Sequence, residues 1–234
     1  MKRLIIFTLL LCSLCLTACD DAGSTSIIGG ADGPTSLFVA QKKESDMTMA
    51  QINKYLRQHY VNEHMLPSLD LMDIYFENPL VSGDRTLILD DSIENVLELM
   101  VYEYYQNKTA GDYQKVLDVI LGEGLRIATK NEADNFANGL YYSRVFIDDI
   151  DLVDKDDLDE ITESNKRNIV RMLTDLGTEE FAIVEAEAEI WHNEKSLAAG
   201  PQVGNGEVTR YYLLGKKDGA YKIVEVYWEG FMRD

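Results

Sequence analysis

Residues 181–192 read FAIVEAEAEIWH. Ala182, Val184, Ala186, Ala188 and Ile190 fall on one side of an extended chain, and Glu185, Glu187 and Glu189 on the other. The period is therefore two, and the predicted strand has one apolar face and one wet face. Two further alternating runs follow, GEVTRYYLL (206–214) and AYKIVEVYW (220–228). The link between them, Gly215-Lys216-Lys217-Asp218-Gly219, ends in Asp-Gly, which signals a tight hairpin. Three antiparallel strands therefore close the chain.

Upstream, the period changes to that of helices. Ile93, Val96, Leu97, Met100, Val101, Tyr104 and Tyr105 recur at 3.6 residues, and Asp91 with Glu94 forms an Asp version of the capping box. A second helix is predicted over residues 112–121, ended by Gly122 and Gly124, and a third over 131–142 with Phe136, Leu140 and Tyr141 on one face. Val145, Ile147, Ile150 and Leu152 then read as a strand whose alternation slips at Asp148-Asp149, where one extra residue makes a bulge. A helix over 163–176 stops at Gly177. Residues 47–90 read as a less regular extension. Met49, Ile52, Leu56 and Tyr60 lie at approximate helical spacing, and Ile74-Tyr75-Phe76 and Leu87-Ile88-Leu89 look like short strands cut off by Pro79 and Gly83. Helices first, one strand, another helix and three strands predict an α+β domain over 91–234, its helices on one face of a curved, mainly antiparallel sheet.

That element order resembles the cone-shaped, cystatin-like fold of nuclear transport factor two and its relatives, over residues 91–231 or about 60% of the chain. The resemblance implies a pocket inside the cone, where Tyr104, Tyr141 and either Tyr211 or Tyr212 would converge with Trp191 and His192 at the strand end. Such a pocket is apolar with hydroxyl handles. The competing reading is that these are core tyrosines satisfied by backbone groups.

The N-terminus carries an address. Lys2 and Arg3 precede an uncharged run from Leu4 to Ala18, which is the length of a signal-peptide core and short of the about 20 residues of a membrane span. It ends in Leu16-Thr17-Ala18-Cys19, which resembles the lipobox of bacterial lipoproteins. The resemblance implies removal of residues 1–18, a thioether-linked diacylglyceryl group on Cys19, and an extracytoplasmic protein held to the cell membrane by its acyl chains. Cys12, Cys15 and Cys19 are the three cysteines. The processed monomer would then have no disulfide, and its fold would rest on its own core. The whole chain is −19, and the processed part, with 20 Lys+Arg against 41 Asp+Glu, near −21. Such a surface repels nucleic acid and anionic headgroups, so attachment falls to the lipid.

Residues 19–46 read as a tether that is more apolar than a spacer requires. Ile27, Ile28, Leu37 and Phe38 flank a turn at Ala31-Asp32-Gly33-Pro34, which fits a short hairpin. Within it, GGADGPT resembles the signature of the β subunit of sodium-translocating decarboxylases, in which the aspartate matching Asp32 takes part in sodium coupling. That subunit spans the membrane many times. Here no apolar run after Cys19 approaches 20 residues, so a pump role is disfavoured. Two readings stay open: the pair packs on its own domain, or it docks on a partner's sheet edge.

In the acidic stretch DDIDLVDKDDLDE, Asp149, Asp151, Asp157 and Glu160 occupy positions 1, 3, 9 and 12 of a calcium loop. Val153 and Asp154 stand where an EF-hand wants a ligand and a glycine, so a solvated charge run is the alternative. His59 and His64 are five apart and miss the helical zinc spacing. The sequence contains no P-loop, dinucleotide fingerprint or G-x-S-x-G elbow, and the processed chain's cysteine is the acylated one. The expected function is a non-catalytic, membrane-anchored binding or assembly module without a cofactor, its partner an envelope protein or a small apolar ligand. The alternative is an isomerase- or dehydratase-like enzyme working in the tyrosine-lined pocket.

Overall fold

Strand β4 (Glu180–His192) lies at the centre of the molecule because its alanines are small enough for helices to approach one face while its glutamates keep the other wet. In the computed structural model, which describes residues 47–66, 69, 78–201, 204–228 and 230–232, β4 pairs antiparallel with β3 (Tyr142–Leu152) and β5 (Gly206–Lys217). Strand β6 (Ala220–Tyr227) follows through Asp218-Gly219, whose φ values of 53° and 78° suit the two-residue turn expected from the sequence. Strands β1 (Leu80–Ser82) and β2 (Arg85–Leu89) complete a six-stranded sheet in the order β1 to β6. The chain divides after Gln41, and the fold described belongs to the unit that begins at Lys42. Cys19, Ile27, Ile28, Asp32, Leu37, Phe38 and Ile74-Tyr75-Phe76 lie outside the described residues.

The architecture is α+β, with one parallel pairing. Strand β2 runs parallel to β3, which requires a long crossover. Helices α2 (Val96–Ala110), α3 (Tyr113–Asp118) and α4 (Glu123–Ala137) supply it and cover one face of the sheet. Leu87, Leu89, Val145, Ile147, Val184 and Tyr212 are buried on that face against Leu97, Val101 and Val116. Among the described residues, the opposite face is covered at one end. There Phe181, Ile183 and Leu213 are fully buried, Tyr60 meets Phe181 edge to face at 5.1 Å, and helix α5 (Glu163–Leu176) brings Leu173 against Gly215. Helix α1 (Met49–His59), capped by Thr48, packs on α5. Farther along the same face Glu187 reaches solvent.

Several boundaries differ from the sequence expectation, each for a tertiary reason. Helix α2 begins at Val96, with Asn95 and Glu98 as its reciprocal cap. Asp91 instead accepts the N–H groups of Ser92 and, across the fold, Ile150. Helix α4 begins at Glu123, and Gly122 is its N-cap where the glycines were expected to stop a preceding helix. A Cβ on Gly122 would lie 1.9 Å from the carbonyl oxygen of Val224, so this glycine permits backbone to meet backbone. Helix α4 ends at Ala137, and Tyr142 belongs to β3. Residues 47–90, set apart in the sequence, share the core: β2 lies in the sheet and Ile52 and Leu56 are buried. Helix α6 (Glu194–Ala199), capped by Asn193, was not anticipated. The bulge in β3 falls between Ile147 and Asp149, where the alternation slips, and α5 ends at Gly177 with φ 65° as its spacing predicts.

Candidate functional site

A cavity of about 850 Å³ lies between helices α2 to α4 and the end of the sheet near His192, with α6 along its rim. Its walls follow from helical geometry. Tyr105, Lys108 and Thr109 of α2 stand at i, i+3 and i+4, one turn beyond the packed stripe. From α4, Ala128, Asn131, Glu132 and Asn135 form a second stripe at i, i+3, i+4 and i+7 that points into the same space. Strands β3 and β5 form the floor with Tyr142, Val145 and Arg210.

The wall charges differ from the body around them. Arg85, Lys108 and Arg210 line the cavity beside a single carboxylate among the described residues, Glu132, whereas the chain as a whole is −19. Lys108 and Glu132 pair at 2.6 Å. Burial lowers the Lys108 ammonium, but the Glu132 carboxylate together with the Tyr104 and Tyr113 hydroxyls holds the lysine above its ordinary value. Burial also pushes the Tyr113 hydroxyl on the same wall up to about 12. Arg85 donates from Nε to the Ser82 carbonyl at 3.0 Å and lies over the Phe136 ring at 4.4 Å.

Arg210 is held differently. It is in phase with Val208, Tyr212 and Leu214 on the helix-covered face of β5 and is 4% exposed. Its guanidinium stacks over Trp228 at 4.6 Å and donates from Nη2 to Tyr142 Oη at 3.4 Å. Its Nε is buried and has no acceptor among the described residues. No carboxylate pairs with it there.

The expected pocket residues separate by strand register. Tyr141 and His192 line the cavity; Tyr141 donates to Asp84 at 2.7 Å, and the His192 ring meets Tyr142 edge to face at 4.7 Å. Tyr104 is buried behind the wall, edge to face with Tyr105 and Tyr212. Tyr211 points to the opposite face of the sheet and packs on Phe231 at 4.9 Å. Trp191 lies under Arg144 at 4.8 Å, on that same far face, because side chains one residue apart on a strand point oppositely. Ser196 also lines the cavity, with its hydroxyl committed to the Tyr141 carbonyl. Arg210, Glu132 and the two asparagines were missed in the sequence. The available signals were a cation in phase with an apolar strand face and a polar stripe at helical spacing.

The expected calcium residues also separate. Asp149 and Asp151 converge with Asp91, their nearest oxygens all within 4.8 Å of one another. Asp157 and Glu160 lie elsewhere, in and just after a short 3-10 turn, where Arg57 pairs with Asp156 at 3.4 Å and Asp159 at 2.9 Å. Burial, together with Asp151 and Asp91, pushes the Asp149 carboxyl up to about 6.

No protein-family model matches the chain, and no curated protein matches it. Among solved structures, the intermembrane space region of the chloroplast protein ARC6 is similar over 59% of this chain and 92% of that one. The identity is 13% and the TM-score 0.37, at which neither a family nor an activity carries over.

Proposed function

We propose that this is an extracytoplasmic lipoprotein, anchored through acyl chains on Cys19, whose globular unit is a non-catalytic binding module of the nuclear-transport-factor-two-like kind. The observation that carries the binding reading is the cavity of about 850 Å³, within the range of small-molecule sites. Two side chains on its wall that are suited to chemistry are already engaged: Glu132 with Lys108, and Ser196 with a backbone carbonyl. Support for the anchor comes from Lys2 and Arg3, the apolar run after them and Leu16-Thr17-Ala18-Cys19. Among the described residues no helix is long and apolar enough to cross a membrane.

Two measurements test this. Metabolic labelling with a palmitate analogue should mark the wild type in the membrane fraction and leave Cys19→Ser unlabelled; equal labelling and fractionation remove the anchor. The neutral fluorophore N-phenyl-1-naphthylamine should bind the wild type and be excluded by Ala128→Trp, which fills the cavity from its wall. Absence of binding, or binding indifferent to the tryptophan, removes the binding module. A second reading, an isomerase- or dehydratase-like enzyme, draws on Glu132 as a carboxylate on the cavity wall. It requires a turnover that Glu132→Gln abolishes, and turnover unchanged in that variant removes it.

A further inference from the structure

We infer that the cavity selects a small organic monoanion, an apolar or aromatic body ending in a carboxylate, and that Arg210 is the group that recognises the charge. This rests on the reading of the cavity as a ligand site and names what that site takes.

A guanidinium stays charged at any working pH, and a charge removed from water is costly unless it is paired. Arg210 is 4% exposed, yet its partners are an aromatic face and one long hydrogen bond that it donates to a tyrosine hydroxyl. Its Nε has none. In a chain with 41 carboxylates, none among the described residues reaches it. If packing alone were required between Val208 and Tyr212, methionine would fill the space without the cost of the charge. A planar oxyanion entering the cavity removes that cost, because the guanidinium fork matches carboxylate geometry. The other cations are already occupied. Lys108 is neutralised by Glu132, and Arg85 is bound to Ser82 by Nε and Nη2. Both Ser82 acceptors are neutral, so Arg85 keeps its charge, but it is only half-buried and water screens it; one buried uncompensated charge therefore calls for one anionic group. Trp228, Tyr105, Tyr113 and Val145 offer surface for the apolar body, and Asn131 and Asn135 offer amides for a further polar group.

The test displaces bound N-phenyl-1-naphthylamine from the full-length protein with 2-naphthoate or with its neutral counterpart 2-naphthylmethanol. In the wild type the carboxylate should compete at about tenfold lower concentration than the alcohol, as one charge-assisted hydrogen bond allows. Arg210→Met should abolish that preference, read as the ratio of the two competitors' inhibition constants in the variant whatever its own affinity for the fluorophore, and Arg210→Lys should keep part of it. The wild-type comparison stands even if a variant does not fold. Equal competition by acid and alcohol, competition by neither, or a preference that survives Arg210→Met overturns the inference and leaves the binding module standing. Failure of the fluorophore to bind the wild type overturns both.

Discussion

The Lys108–Glu132 pair makes an asymmetric prediction. The two side chains meet at 2.6 Å, but Lys108 is 11% exposed and Glu132 44% exposed. Glu132→Gln strands the ammonium beside Tyr104, whose ring lies 5.1 Å from Nζ. Breaking a buried pair in this way costs about 3 kcal/mol, the low end of the usual range because the cavity is open to water. Lys108→Met keeps most of the stem's volume and leaves a carboxylate that water can reach, so its cost is about 1 kcal/mol. The double variant should lie near Lys108→Met, which gives a coupling of about 3 kcal/mol in magnitude. A pH dependence follows as well. In Glu132→Gln the largest upward influence on Lys108 is gone, and burial, the strongest influence of all, lowers it against the weaker pull of Tyr104 and Tyr113. For a base with a lowered folded pKa, the unfolded chain binds more protons as pH rises through that value, so stability increases with pH. The deficit of Glu132→Gln should therefore shrink between pH 7 and about pH 10, while wild-type Lys108 stays protonated in both states until the lysine range near 10.4. Urea denaturation followed by far-ultraviolet circular dichroism at three pH values measures this. Equal costs for the two single variants, or a Glu132→Gln deficit that is flat to pH 10, refutes the reasoning.

Two other outcomes are expected. Gly122→Ala sets a methyl 1.9 Å from the Val224 carbonyl oxygen, so α4 and β6 must separate at a cost of about 3 kcal/mol, the upper part of the overpacking range; a melting temperature within a degree of the wild type would contradict it. Asp149 is raised to about 6, so its contribution to stability is present below the unfolded value near pH 4 and lost as pH rises through 6. Asp149→Asn, which retains an oxygen for the Ile150 N–H, should be about 1 kcal/mol more stable than the wild type at pH 8, after discounting for solvent screening. The advantage should fade by pH 4, and an advantage that grows on acidification would count against the carboxylate cluster.

The site was partly legible in the sequence. Tyr141 and His192 were expected at a pocket and line the cavity. The choice between Tyr211 and Tyr212 depended on register against β4, where Tyr212 pairs with Val184 and Tyr211 with Glu185. No local pattern reports which of two adjacent tyrosines turns toward the helices. Asp91 showed the same difficulty, since a residue that can cap the next helix here binds Ile150, a residue of β3.

What the sequence by itself determined is whatever depends on neighbours in the chain. The alternation of β4, the slip that becomes the bulge in β3, the extent of α5 and the Asp-Gly turn all arise from steric and hydrogen-bonding preferences spanning a few residues. The tertiary structure alone decided the parallel pairing of β2 with β3, the role of Gly122, and the enclosure of Arg210 with no carboxylate among the described residues to pair it. Each depends on segments far apart in the chain meeting at ångström distances, and loop closure and packing select among many arrangements that local preference leaves equal.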